Sequence, residues 1–230
     1  GSVVGASLAF RYNKIIEEGK EYSSLVGSLI QANMIMAGHI EHIATMLQHI
    51  AGSKGKSEIE YFFNLRNFHI PDYVQKQNLE GFKSILKEAP WLLGVYHDME
   101  SAVLEINEIS KIKSETFEHY IKPMFYAQNM VSDSKAEGDF TTSELKKLTG
   151  ERLFEDYILY SKMLISVTLT KAHEAIYCHN KLKNFLSERF ETEEIPVYGD
   201  IDKIKQLVDA IRTRGVLHGL VEDVDRNVSA

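Results

Sequence analysis

Nine histidines and one cysteine are the side chains of this 230-residue chain best suited to acid–base, nucleophilic or metal chemistry. His39, His42 and His49 fall at spacings of three and seven, so with Met46 they share one stripe of a helix. Glu115 and His119 are four apart, and His173 precedes Glu174. A di-metal site in a helical bundle needs a Glu-x-x-His pair twice over, and the chain contains none, so no metal and no cofactor is expected. Cys178 lies between Tyr177 and His179. Adjacent residues of a helix point in different directions, which keeps the thiol from its neighbouring base and predicts a small buried cysteine.

The residues near the C-terminus carry more. Ile201, Ile204, Val208 and Ile211 form a three–four stripe, and the same steps continue to Gly215 and His218. An imidazole is thereby expected on a packing face, one turn after a glycine. Glycine costs a helix about 1 kcal/mol relative to alanine, so its place there asks for a reason such as close approach of a second helix. Arg214 stands four residues before His218, and Arg212 six before, rotated by about 120° from it. A plain reading stays open beside any chemistry: arginines near a helix end, a histidine beside the core, and Gly219 as the stop.

The run Arg212-Thr213-Arg214-Gly215-Val216-Leu217-His218-Gly219 resembles the Arg-x(4–6)-His signature of HEPN domains, an all-helical superfamily of toxin–antitoxin and antiphage systems. Thr213 occupies the place usually held by Asn, Asp or His. The resemblance implies a homodimer whose two signatures form one cleft, acting on RNA as a metal-independent endoribonuclease, with a possible antitoxin partner and a cytoplasmic location. It assigns His218 as general acid or base and Arg212 as the group that stabilises charge on phosphorus after attack by a ribose 2′-hydroxyl, with Thr213 and Arg214 in support. A homodimer is expected along the closing helix, at Gly215. The second class of function is a non-catalytic ligand-sensing or interaction module, with the apolar run 3–10 before Arg11 as the remnant of a membrane anchor.

These side chains must be held by helices. Leu25, Leu29, Ala32, Met36, Ile40, Ile43, Leu47 and Ile50 predict a helix over 23–51, ended by Gly52-Ser53-Lys54-Gly55. Further helices are predicted over 57–69, 78–89, 91–113, 114–131 with a kink at Pro123, and from Thr142. The longest is expected over 151–189 and the closing one over 200–224. No segment alternates with period two for long enough to make a strand. The expectation is an all-α antiparallel bundle of five or six main helices in one domain over 3–230, Gly1-Ser2 reading as a cloning scar.

Composition agrees with that architecture and narrows the function. The chain is 44% hydrophobic and 26% charged, enough apolar material for a core. Four prolines and fourteen glycines are few for the turns of an all-β domain. The formal charge of -7 excludes nucleic-acid binding by bulk electrostatics and leaves only a local contact.

Overall fold

The computed structural model describes residues 2–55, 57–65, 82, 85–87, 89–127, 142–190, 195–214, 217, 220 and 224, with side chains excepted at 2–11 and 126–127. The described residues are helical with no strand, in the order α1 (Ser2–Gly52), α2 (Glu58–Asn64), α3 (Trp91–Thr116), α4 (Lys122–Ala127), α5 (Thr142–Thr149), α6 (Glu151–Arg189) and α7 (Ile201–Arg212). A π-helical turn, Phe117–Ile121, joins α3 to α4 without a break, so six rods make an all-α bundle. None of the described helices is long and apolar enough to cross a membrane.

The expected stripe is the core of α1: Leu29, Met36, Ile40, Ile43, Leu47 and Ile50 are all buried. Burying one such side chain contributes about 1.5–3 kcal/mol, so this face alone commits α1 to the bundle. Asn33 fixes the register of three segments at once. Its amide donates to the Pro196 carbonyl at 3.0 Å, and its carbonyl oxygen accepts from the Tyr96 hydroxyl at 2.8 Å.

Helix directions follow from such pairs. Asn33 meets Tyr96 and His42 meets Asn107, so α1 and α3 run the same way. Glu41 meets Lys203 and Ser53 meets Arg214, so α7 does too. Against them runs α6: Trp91 packs on Phe185, whereas Lys113 reaches Tyr157. At the turn into α7, Gly199 has φ of +122°, and a Cβ there would stand 2.7 Å from Ile40 Cδ1. Glycine is the residue that takes this backbone conformation without strain.

Several boundaries differ from the sequence expectation. The first helix begins at Ser2, not near residue 23, which makes it the longest of the fold at 51 residues and roughly 75 Å. Residues 12–24 are exposed, so no core stripe announces them. They are held instead by local helix formers and the Lys14–Glu18 pair at 3.7 Å. The expected break at Ser114 is absent. One extra residue per turn at Phe117–Ile121 widens the helix just before Pro123, where an α-helical turn would drive the proline ring into the preceding carbonyls. Of the helix expected over 78–89, residues 82, 85–87 and 89 are described, and Ile85–Lys87 is a short 3₁₀ turn. The helix expected over 57–69 is described as α2, and 66–69 lie outside the described residues.

Candidate functional site

Asp200 starts α7 by accepting the Lys203 backbone N–H at 2.9 Å. Ile201, Ile204, Val208 and Ile211 are buried, and the helix packs on α1 and α6. These four side chains are thus covered by the chain's own bundle. The helix does not run on to residue 224 as one α-helix. It ends at Arg212, after which the Arg214 N–H bonds to the Ile211 carbonyl at 3.1 Å and the Leu217 N–H to the Arg214 carbonyl at 2.9 Å, both tighter three-residue steps. Gly215, His218 and Gly219 lie outside the described residues.

The three described residues of the signature have distinct surroundings. Arg212 is at the surface, its Nη2 at 3.2 Å from His173 Nε2 on α6 and its Nη1 at 3.7 Å from Asp209 Oδ1. The Thr213 hydroxyl donates to the Ala210 carbonyl at 3.0 Å and closes the helix end. Arg214 turns toward α1, where its Nη1 donates to the Ser53 carbonyl at 2.7 Å and its Nη2 to the Ala51 carbonyl.

That last contact is one part of a shared cap. Tyr61 donates its hydroxyl to the Ile50 carbonyl, and the Ser53 hydroxyl donates to the His49 carbonyl at 3.2 Å. The Arg214 guanidinium lies 5.8 Å from the centroid of the Tyr61 ring. One guanidinium and two hydroxyls therefore meet the carbonyl end of a long helix, where the peptide dipoles leave partial negative charge. Burial pushes the Tyr61 hydroxyl up to about 12 against the pull of Arg214, so it stays a donor at neutral pH. The sequence places Arg214 next to His218 and gives no sign of this contact 161 residues away.

A second group was not read from the sequence at all. Lys113 is 1% exposed, and its amine donates to the Leu65 carbonyl at 2.5 Å and the Tyr157 hydroxyl at 2.8 Å. It lies 4.5 Å from the centroid of the Tyr157 ring, which in turn meets Phe63 edge-on. Burial lowers its pKa to about 7. The signal was present: Met99, Val103, Ile106 and Ser110 are buried at steps of three and four, and the next step is Lys113. An amine held half-neutral is a potential nucleophile, but its burial closes it to any substrate of ordinary size.

The other candidates divide by environment. Cys178 is buried, and burial, then Asp98 and Glu174, push the thiol up to about 11, so it is not a thiolate at neutral pH. His179 is buried as well; burial holds its pKa down, while Asn180 pulls it back and Lys183 and Lys205 depress it further. The thiol feels α3 and the imidazole feels α7, as adjacent helical positions require. His42 bonds Asn107 at 2.9 Å, and burial lowers its pKa against that bond. Lys171 bridges Glu174 at 3.0 Å and Glu105 at 3.2 Å; burial opposes the rise in its pKa, which the bonds and charge of Glu174 and Glu105 carry. Among the described residues no three His, Cys, Asp or Glu side chains are gathered to hold a metal.

The described residues thus offer a cap, a buried amine and a surface Arg–His pair. Compared with family models, curated proteins and solved structures, the chain matches none.

Proposed function

We propose that this chain is a non-catalytic helical interaction module, in which α1 is both the spine of the bundle and the element presented to a partner. The observation that supports it is the exposure of α1 from residue 12 to residue 24, ahead of its first buried side chain, Leu25. A helix that leaves its own core for more than three turns, with Tyr12, Ile15 and Ile16 exposed on it, fits a docking element better than a solvated one. Within the signature, Arg214 and Thr213 have partners that build the fold, which accounts for both without chemistry. The test is incubation of the purified chain with mixed RNA in EDTA, which this reading expects to leave the RNA intact.

A second reading, a HEPN-like endoribonuclease of a toxin or antiphage system, is favoured by Arg212 and His173, a guanidinium and an imidazole within 3.2 Å at the surface. In that reading His218 moves the protons and Arg212 stabilises the developing charge, with no metal. The residues 200–230 carry five Lys or Arg against six Asp or Glu, so the RNA contact would be local. Cleavage that survives EDTA and falls about 10²–10⁴-fold in His218→Ala and Arg212→Ala would establish it over the first reading.

A further inference from the structure

The projecting half of α1 carries a spacing of its own. Tyr12, Ile15, Gly19, Tyr22 and Val26 step by three and four, and Gly5 stands two heptads before Gly19. This is the seam of a coiled coil, in which apolar residues recur every 3.5 positions on average. Tyr12 and Ile15 are 65% and 66% exposed, and no atom lies within 4 Å of where a Gly19 Cβ would stand. Among the described residues the bundle meets this seam at its base, where the Tyr22 ring lies 6.2 Å from that of Phe190 and Val26 packs on the core.

Charge separates the occupants such a face could have. Between residues 11 and 24 there are three basic side chains, Arg11, Lys14 and Lys20, and three acidic ones, Glu17, Glu18 and Glu21. A helix lying on an anionic bilayer needs an excess of Lys and Arg on its polar side, and this segment has none. A balanced segment fits a partner with the same balance.

We propose that the projecting half of α1 pairs with the same segment of a second copy of this chain in an antiparallel coiled coil. The inference rests on the interaction-module reading and names its partner. An antiparallel register that sets Tyr12 against the partner's Ile15 repeats itself by symmetry, Ile15 against the partner's Tyr12. The same register brings Tyr22 to the partner's Gly5, a large residue onto a glycine, at both ends. A parallel pair would stack Gly19 on the partner's Gly19 and leave a gap in the seam. The overlap of residues 5–22 spans about 27 Å of helix and leaves the two bundles at opposite ends of the rod.

The experiment combines light scattering with disulfide mapping. The intact chain is expected to be a dimer at roughly tens of micromolar, and Ile15→Glu combined with Ile16→Glu to raise Kd by about 100-fold or more. Circular dichroism and melting of that variant should match the parent, because these side chains are exposed in the single chain. A Tyr12→Cys chain mixed with an Ile15→Cys chain should cross-link to it and neither chain to itself. Self-cross-linking of either chain, a dimer indifferent to the glutamates, or a monomer overturns the proposal; a monomer that sediments with anionic phosphatidylserine vesicles overturns it in favour of a bilayer. RNA cleavage in EDTA by the same sample reports separately on the module reading, which a monomer inert toward RNA leaves standing.

Discussion

At one end of α1 the last carbonyls are received by Ser53, Tyr61 and Arg214; at the other, residues 12–24 run on with their side chains in water. Both ends belong to the same unbroken helix, yet they are held by different physics. The C-terminal end is fixed by donors from α2 and from the segment after α7, so its stability belongs to the whole fold. The N-terminal end is held by propensity and the Lys14–Glu18 pair, so its stability is local unless another molecule covers it. A helix can therefore be rigid spine and free arm at once, and substitutions at the two ends should read out in different measurements.

The largest effect is expected at the capped end. Arg214→Ala removes two guanidinium hydrogen bonds from buried or half-buried carbonyls and should cost about 2–3 kcal/mol. In a chain of this size that is a fall in Tm of roughly 4–12 °C. Arg214→Lys should recover part of it, since an ammonium still faces the helix dipole but cannot span both carbonyls. Association through the arm should not change in either variant. A melting temperature that stays put in Arg214→Ala would remove the contrast between the two ends.

Lys113 tests the interior against the arm in a second way. Its amine titrates near 10.5 in the unfolded chain and at about 7 in the fold, through burial. Between those values the unfolded chain holds the extra proton, so this group makes stability rise with pH from about 7 upward and contributes nothing to the slope below 7. The slope is at most about 1.4 kcal/mol per pH unit. Urea denaturation at pH 7 and 8.5, where Cys178 and the buried tyrosines stay protonated in the fold, should show a gain of about 1–2 kcal/mol in the parent. Lys113→Met should flatten that gain. An equal slope in both proteins would mean that the amine is fully charged in the fold.

How much of this was legible in the sequence depends on where the cause lies. The stripe from Leu29 to Ile50 is legible because burial leaves a periodic mark, and so are both ends of α6, which begins after Gly150 and ends at Arg189. Lys113 breaks its stripe by one charge, and the expected helix stops at that residue, which the period places inside. Arg214 was set beside His218 because sequence spacing shows only local neighbours; its partners Ala51 and Ser53 come from the other end of the chain. The arm was missed for the opposite reason. A stripe sought as a mark of burial is invisible where the helix faces water, and the steps from Tyr12 to Val26 acquire meaning only once the structure shows them uncovered.

The smallest effect separates a bare arm from a paired one. Gly19 lies in the middle of a helix with open space around its Cα, so Gly19→Ala removes the entropic cost of glycine without a clash in the single chain. A bare arm should gain about 0.5–1 kcal/mol of local helix stability, seen as slower amide exchange over residues 12–24 and no shift in the melting of the bundle. If the seam is closed by a second copy, the added methyl enters the contact where the two backbones approach. The same substitution then weakens association, and light scattering should show a larger monomer fraction while local exchange in the monomer still slows. Slower exchange with association unchanged would place Gly19 off the seam and shift the register of the pair.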